Sequence, residues 1–253
     1  MVEELQRRHG IAFRTLSPVN EPNTNYWYAG NRQEGSHWSP ARQVAMIDAT
    51  HAALRERGLS TVVGAPDETN SRLFLEDWAA YPPATRARIG QVNVHSYGTV
   101  HQTGVRDAAR AAGIRLWMSE NDTPLEGDPE SFTGMASALA FAEHVIADLR
   151  RLEPAAWVFW QAVESISARG GRAGSNWGLV KADLRGTPGG PHAIHLTPQI
   201  LGDGAVQPLH PPGISAGAGG RHGHRGRAVA RAGHLGAGPR QWRHQPAAIG
   251  GIG

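Results

Sequence analysis

Cysteine is absent from the 253-residue chain, and lysine occurs once, at Lys181. Without thiols the protein cannot form disulfides, use a thiol nucleophile or bind zinc through cysteine. No apolar run approaches the roughly 18 residues of a membrane-spanning helix, and the start of the chain lacks the apolar segment of a signal peptide. Hydrophobic residues make up 40% of the chain and include eight tryptophans. The composition therefore predicts a packed core and no membrane partner.

Acidic residues are missing from the end of the chain. Residues 204–253 contain six arginines and no acid, a formal charge of +6, whereas residues 1–203 carry −3. From about Gln199 the text has neither a helical nor a strand period, and it could be a disordered linker or a basic nucleic-acid-binding arm. It could also be translated in the wrong frame, because permissible codons read one nucleotide later restore acidic residues and strand alternation. We expect residues 199–253 to be disordered and out of frame, without a nucleic-acid partner; sequencing the DNA for Thr197–Leu201 tests this.

Before that tail, apolar strand-like segments alternate with helical ones. The predicted strands are 11–22, 60–66, 89–99, 114–122 and 154–165, and the predicted helices are 3–10, 39–58, 71–82, 102–113 and 131–152. The second helix has the clearest signals, since Ser39 is a plausible N-cap, Pro40 occupies the first helical position and Gly58 ends it. This alternation predicts parallel βαβ units in an α/β fold.

Four of the five predicted strands end in polar or ionisable residues. They are Asn20-Glu21, His95 to Tyr97, Glu120, and Trp160-Gln161. In a (β/α)8 TIM barrel the carboxyl ends of the strands carry the chemistry. A doubly wound open sheet is the rival architecture, but it would be expected to have a glycine-rich phosphate loop after a strand, and none is found. The pattern therefore favours part of a barrel.

Two of these strand-end residues are glutamates, Glu21 in SPVNEPN and Glu120 in LWMSEND. Retaining glycoside hydrolysis needs two carboxyl groups roughly 5–5.5 Å apart, one to protonate the leaving oxygen and one to attack the sugar carbon. Glutamates on different strand ends can supply such a pair at the barrel mouth. Each also has a simpler interpretation: Glu21 could be a surface residue in a turn set by Pro22, and Glu120 could be a loop carboxylate or a helix cap.

Several motifs resemble glycoside hydrolase family 30, in particular its endo-β-1,6-galactanase-like members. They are PVNEPN, QEGSHWSP, VNVHSYGT, MSEND, WVFWQ and NWGLV, and the resemblance covers roughly residues 1–198. It implies a (β/α)8 barrel, of which this chain would hold roughly strands four to eight, with a small β-sandwich beside it. It also implies a secreted enzyme, retention of configuration, and no metal or organic cofactor.

The resemblance assigns roles to the strand-end residues. Glu21 matches the acid/base, Glu120 matches the nucleophile, and Asn20 matches the residue that binds the sugar hydroxyl next to the reacting carbon. His95 and Tyr97 match the polar pair on the sixth strand, where a tyrosine hydroxyl can hold the nucleophile. Each of the last two could instead be structural, His95 as a satisfied histidine and Tyr97 as a packing residue.

The eighth strand supplies two further expected sugar contacts. Trp160 matches the aromatic residue on which a sugar ring stacks, and Gln161 lies beside it. Strand alternation places Trp157 and Phe159 on one face and Val158 and Trp160 on the other. Trp160 could therefore also be part of the core.

The predicted activity is hydrolysis of a β-linked galactan-like polysaccharide or oligosaccharide. Glucosylceramidase, xylanase or β-1,6-glucanase activity is the alternative within the enzyme class, and an inactive pseudogene product or sugar-binding remnant is the alternative outside it. At roughly 30 residues per βαβ repeat, about 90 residues should precede Glu21, so we expect the chain to be a truncated portion of a secreted parent. Open strand edges then predict poor solubility or oligomerisation and weak activity.

Overall fold

The computed structural model describes residues 1–31, 35–98, 100–122, 135–165, 178–182 and 193–200. The helices are α1 Val2–His9, α2 Pro40–Glu56, α3 Ser71–Ala80, α4 Pro83–Arg86, α5 Gln102–Ala112 and α6 Met135–Arg151. The strands are β1 Thr15–Leu16, β2 Val62–Gly64, β3 Ile89–His95, β4 Arg115–Glu120, β5 Ala156–Trp157, β6 Val163–Ser165, β7 Val180–Ala182 and β8 Ile194–Leu196. Beyond Ile200, the predicted disordered tail lies outside the described residues.

The first five strands form one sheet in the order β1-β2-β3-β4-β5, with every neighbouring pair parallel. Strand order that follows chain order is the arrangement of a barrel, whereas a doubly wound sheet reverses direction at a switch point. The predicted fold class is therefore confirmed: the sheet is a curled half of a (β/α)8 barrel with helices on its outer side.

Alternation along β3 separates the two faces of this sheet. Val92 and Val94 are fully buried against the helices, where Val105 of α5 packs on them, and Met118 of β4 joins the same core. Burying one such aliphatic side chain contributes roughly 1.5–3 kcal/mol. The helix layer is thus held by an apolar stripe on every second strand residue.

The opposite, inner face of the sheet is polar. Gln91 and Asn93 alternate with the two valines, and the Gln91 amide donates to Asn93 Oδ1 at 2.8 Å. Arg14 donates to Gln91 Oε1 at 3.4 Å and places its guanidinium 4.8 Å from the ring centre of Trp117. His95 continues this row at the carboxyl end of β3. His95 is therefore the last member of a buried polar row on the inner face of the sheet.

The helix predicted from Ser39 begins where its signals place it. Pro40 is the first residue of α2, and Ser39 is its N-cap, although the Ser39 side chain makes no capping hydrogen bond. Asn70 caps α3 by accepting from the Leu73 amide at 3.1 Å. The short helix α4 was not predicted. Pro82 is its N-cap residue, and Pro83 suits the first turn of a helix.

The last predicted strand, 154–165, is not a single strand. Only β5 pairs with β4, and β6 belongs to a second sheet of order β6-β7-β8. Backbone contact with the β4 segment continues as far as Trp160, whose amide donates to Asn121 O at 2.9 Å. The chain then runs beside residues 179–182, where the Leu179 amide donates to Gln161 O at 3.1 Å.

The predicted alternation around Trp160 is present. Trp157 and Phe159 both pack edge-on against Phe141 of α6, with ring centroids 5.6 and 5.0 Å from it. Val158 and Trp160 face away and are 39% and 45% exposed. Trp160 is therefore not part of the core. None of the helices in the described ranges is long and apolar enough to cross a lipid bilayer.

Candidate active site

The two predicted catalytic glutamates lie side by side at the carboxyl edge of the parallel sheet. Glu21 follows β1 and is 5% exposed, and Glu120 is the last residue of β4. One oxygen from each carboxylate and one ring nitrogen of His95 lie within 4.8 Å of one another. These residues are far apart in sequence, so only the parallel sheet brings them together.

A bulge in the pairing of β3 and β4 turns Glu120 toward this site. Val94 pairs with Met118, but the next residue, His95, pairs with Glu120, so that Ser119 is an extra residue on β4. Strict alternation would have placed Glu120 on the helix-facing side with Met118. The extra residue shifts the phase, which is a common use of a bulge near functional sites.

The backbone of Glu21 adopts a left-handed conformation, with φ of 47°. Residues other than glycine rarely adopt it, and it costs on the order of 1–3 kcal/mol. Three hydrogen bonds hold it: the Glu21 amide donates to Asp67 O at 2.9 Å, and Glu21 O accepts from Trp27 Nε1 at 2.8 Å and from the Thr24 amide at 3.3 Å. The loop is thus fixed in a geometry that aims the Glu21 side chain at His95.

Each glutamate carboxylate has a tyrosine donor as well as a contact with His95. The Tyr26 hydroxyl donates to Glu21 Oε2, and the Tyr97 hydroxyl donates to Glu120 Oε1 at 3.1 Å. His95 Nδ1 lies 3.1 Å from Glu21 Oε1 and 3.6 Å from Glu120 Oε1. Burial and the neighbouring carboxylates raise the pKa of both tyrosines, so their hydroxyls remain protonated donors.

Asp67 keeps His95 positively charged. His95 Nε2 lies 3.5 Å from Asp67 Oδ1, which also accepts from Ser119 Oγ at 2.6 Å. Burial alone would lower the pKa of His95, but the hydrogen bonds to Asp67 and Glu21 and the negative charges of Asp67 and Glu120 raise it to about 10. Burial would raise the pKa of Asp67, but the hydrogen bond and charge of His95 hold it below its usual value.

The positive charge of His95 acts on both carboxylates. Burial raises the pKa of Glu120; the charge of His95 opposes this rise, and the charge of Glu21 adds to it. The imidazolium between them offsets the repulsion between two buried carboxyl groups this close. His95 therefore allows the pair to share one small site.

Glu21, His95 and Glu120 are also a set of residue types that can ligate a metal ion. A histidine ligand must be neutral so that a ring nitrogen can donate a lone pair. Both ring nitrogens of His95 already lie beside carboxylates, Nδ1 3.1 Å from Glu21 Oε1 and Nε2 3.5 Å from Asp67 Oδ1.

The remaining predicted site residues have weaker links to this centre. Asn20 precedes Glu21 and is exposed. Trp160 is half-exposed, and its amide bond to Asn121 O places its backbone beside the residue after Glu120. Gln161 is partly buried, and the peptide bond between Trp160 and Gln161 is cis. Direct contacts to the glutamates are thus made by His95 and Tyr97 among the predicted binding residues.

The sequence reasoning missed Tyr26, Asp67 and Ser119. A signal for Asp67 was present, because it follows the predicted strand 60–66 directly. Ser119 gave no signal, because it reaches Asp67 only through the bulge. Tyr26 lies five residues after Glu21 in a loop, where sequence alone gives no direction for a side chain.

A second polar cluster, Ser96, His144 and Asp148, has the composition of a serine hydrolase triad but not its geometry. The same nitrogen, His144 Nε2, lies 2.8 Å from Ser96 Oγ and 3.3 Å from Asp148 Oδ2. A triad needs one ring nitrogen for the serine and the other for the acid. Ser96 is fully buried, and Asp148 also accepts from Trp157 Nε1 at 2.8 Å. The cluster therefore ties α6 to the end of β3.

Known proteins share both the sequence motifs and the fold of this chain. No family model matches the chain. It is 30% identical over 185 residues to endo-β-1,6-galactanase of Hypocrea rufa, covering 72% of this chain and 35% of that protein. It is 34% identical over 165 residues to exo-β-1,6-galactobiohydrolase of Bifidobacterium longum subsp. longum, covering 62% of this chain and 11% of that protein. The chain thus spans about a third or less of the curated relatives it matches.

Among solved structures, the catalytic domain of GH30 xylanase C from Talaromyces cellulolyticus has the same fold, with a TM-score of 0.55 at 16% identity over 79% of this chain and 43% of that one. The fold is that of the (β/α)-barrel glycoside hydrolases. Within this class, the chain belongs to the endo-β-1,6-galactanase-like members of glycoside hydrolase family 30.

Proposed function

We propose that the protein is a retaining glycoside hydrolase that cleaves β-linked galactan-like polysaccharide, with Glu21 as acid/base and Glu120 as nucleophile. The main support is the approach of the two carboxylates to within 4.8 Å at the carboxyl edge of the sheet. Retaining enzymes hold this pair roughly 5–5.5 Å apart, whereas inverting enzymes need roughly 6.5–9.5 Å to fit a water molecule. Both curated relatives carry β-1,6-galactan linkages in their names, which supports this linkage.

In the first step, Glu120 attacks the anomeric carbon while Glu21 gives its proton to the departing glycosidic oxygen. The bond to the leaving sugar breaks, and an ester forms between the sugar and Glu120. In the second step Glu21 takes a proton from water, the water oxygen attacks the same carbon, and Glu120 leaves as a carboxylate. Two displacements on opposite faces restore the original configuration.

The groups around the pair suit both steps. The Tyr97 hydroxyl holds Glu120 Oε1 and leaves the other oxygen of that carboxylate for attack. His95 and Tyr26 stabilise the negative charge that develops on Glu21 when it loses its proton. Because these donors are fixed before the reaction begins, no reorganisation is needed as charge develops.

Three outer residues complete the proposed sugar site. We assign Trp160 as a stacking surface for a sugar ring, because the residue is 45% exposed and its backbone lies beside Asn121, the residue after Glu120. Asn20, which is exposed next to Glu21, would bind the hydroxyl beside the reacting carbon. Gln161 would bind a neighbouring hydroxyl. These side chains supply the apolar face and the polar groups that sugar recognition needs.

Variants of the two glutamates, supplied with azide, test the assignment. Glu21→Gln should lose about 10²–10⁴-fold of its rate on galactan, the usual contribution of a general acid. It should lose less on an aryl galactoside with a good leaving group, and azide should then give a galactosyl azide of retained configuration. Glu120→Gln should be inactive on both, and with Glu120→Gly azide should give the inverted product.

Glu76→Gln is the matched control, since Glu76 lies exposed on α3 in an ion pair with Arg72. It should hydrolyse both substrates at the unmodified rate. Full activity in Glu21→Gln or in Glu120→Gln would contradict the proposal, as would an inverted product from the unmodified enzyme.

A further inference from the structure

Two more acidic residues lie directly behind the loop that carries Glu21. Glu68 follows β2, and Asp77 lies in the middle of α3; both side chains are completely buried. The proposed glycosidase chemistry makes no use of either. Buried carboxyl groups require hydrogen-bond partners or a proton, because an isolated buried charge is strongly unfavourable.

One residue of the Glu21 loop bridges the two acids. The Asn23 amide donates to Glu68 Oε1 at 2.6 Å, and Asn23 Nδ2 donates to Asp77 Oδ1 at 2.9 Å. The other Glu68 oxygen accepts from the Thr69 amide at 3.3 Å. Asn23 is only two residues after Glu21, so the position of this loop depends on the two buried acids.

The number of donors shows where a proton is needed. Among the residues that the structure describes, Asp77 Oδ2 is buried without a hydrogen-bond partner. A proton on the carboxyl group of Glu68, which Asn23 joins to Asp77, supplies the missing donor. Burial, followed by the hydrogen bond and charge of Asp77, raises the pKa of Glu68 to about 9. A single proton between the two acids satisfies the last oxygen and removes the repulsion.

Among the described residues, the titratable groups that act on the pair carry no positive charge: Tyr81 is a neutral phenol and Glu76 is another acid. Gln43 of α2 accepts from the Tyr81 hydroxyl, and its amide donates to Trp38 O at 2.8 Å. The interaction of Gln43 with Asp77 favours the ionised form of that acid. These contacts stabilise α2 and α3 around the pair.

We propose that Glu68 and Asp77 share one proton in the folded protein and, through Asn23, fix the loop that carries Glu21, which makes Glu68 a positioning residue for the acid/base. The catalytic part of this inference rests on the proposed function. The shared proton and the fixed loop do not, and they can be tested without substrate.

The first test is infrared difference spectroscopy on the full chain at neutral pH. Glu68→Gln replaces the protonated acid with an amide that can accept from Asn23 and donate to Asp77. The unmodified protein should show the carbonyl band of a protonated carboxyl group that Glu68→Gln lacks and Glu76→Gln keeps. An unchanged band in Glu68→Gln would overturn the shared proton.

The second test is hydrogen exchange at the Asn23 amide, compared between Glu68→Gln and Glu68→Leu. Leucine fills the space but cannot accept from Asn23, so exchange should be at least tenfold faster in Glu68→Leu than in Glu68→Gln. The unmodified protein should protect this amide as well as Glu68→Gln does. Equal protection in all three proteins would overturn the positioning role.

The third test is the rate of hydrolysis, again compared between Glu68→Gln and Glu68→Leu. Glu68→Leu should lower kcat and leave KM unchanged, whereas Glu68→Gln should keep both. An unchanged kcat in Glu68→Leu together with the expected exchange result would contradict the catalytic part alone. If the unmodified chain hydrolyses no substrate, the proposed function fails, while the infrared and exchange results still decide the shared proton and the loop.

Discussion

The helix-facing side of the five-stranded sheet and its carboxyl edge are held together in different ways. On the helix-facing side, Val92, Val94 and Met118 are fully buried among apolar neighbours. At the carboxyl edge, Glu21 and His95 are almost as buried, but each is charged or polar and has specific partners. Apolar burial has no preferred direction, whereas hydrogen-bonded charges do. Burial on the helix-facing side therefore stabilises the sheet, and the hydrogen bonds at the edge fix which side chains contact one another.

This difference implies that the free energy of unfolding and the reactivity of the site respond to different substitutions. A change on the helix-facing side should lower the free energy of unfolding and leave the pKa values of the edge unchanged. A change at the edge should alter a pKa or a rate and should have only a small effect on the free energy of unfolding.

The largest loss of stability is expected from Phe74→Ala. Phe74 is fully buried and stacks on Trp78 with ring centroids 5.9 Å apart. Truncation leaves a cavity and should lower the free energy of unfolding by about 3–5 kcal/mol, with the pKa of His95 unchanged. Chemical denaturation and nitrogen-15 NMR of the His95 ring measure the two quantities. A clear shift of the His95 pKa would show that the helix-facing side and the carboxyl edge are coupled.

A smaller loss of stability and a large electrostatic change are expected from Asp67→Asn. The pKa of His95, about 10 in the unmodified protein, should fall when its acidic partner becomes neutral. Stability linked to a raised histidine pKa is fully present below the unfolded value of about 6.5 and is lost as pH rises through the folded value. In Asp67→Asn this loss should therefore be complete at lower pH.

Unfolding measured from pH 6 to 10 checks this, and Asp107→Asn is the control because Asp107 pairs with Arg106 at an exposed site. Since asparagine keeps a hydrogen-bonding oxygen, the loss at neutral pH should stay below the roughly 3–5 kcal/mol of a stripped buried partner. An unchanged His95 pKa would contradict the assigned role of Asp67.

A moderate loss of rate is expected from Tyr97→Phe. This change removes the hydroxyl that donates to Glu120 Oε1. A hydrogen bond to a charged group contributes about 1.5–3 kcal/mol, which corresponds to roughly 10–150-fold in kcat/KM. Tyr28→Phe, at a residue that is 66% exposed, is the control and should have an unchanged rate. Equal rates for the two variants would remove Tyr97 from the site.

The smallest effect is expected from Arg110→Ala. Arg110 forms an ion pair with Glu153 in which both side chains are largely exposed. Such pairs contribute about 0–1 kcal/mol, so unfolding and rate should both be nearly unchanged. A loss comparable to that of Phe74→Ala would mean that surface charge supports the sheet more than its apolar face does.

The sequence predicted most of the parallel units because each strand combines an apolar run with a helix after it. It also placed Glu21, His95, Tyr97 and Glu120 at strand ends, and these four residues do meet. Strand-end chemistry is readable from sequence because the carboxyl ends of parallel strands share one edge.

Other features depend on three-dimensional context that a single sequence does not contain. The bulge at Ser119 decides which way Glu120 points, and no local signal marks it. The predicted strand 154–165 divides because its first part pairs with β4 and its last part with β7, and the segment's own sequence does not show this change of partner. The buried acids Glu68 and Asp77 look like ordinary surface residues in sequence, since burial is set by α2 and α3 packing around them.

Trapping the covalent intermediate tests the central claim most directly. An activated galactoside with fluorine in place of the 2-hydroxyl slows both displacements, so the glycosyl enzyme should accumulate. Mass spectrometry of the digested protein should then find one sugar on Glu120, and none in Glu120→Gln. A sugar on another residue, or turnover with inversion and no trapped ester, would contradict the account.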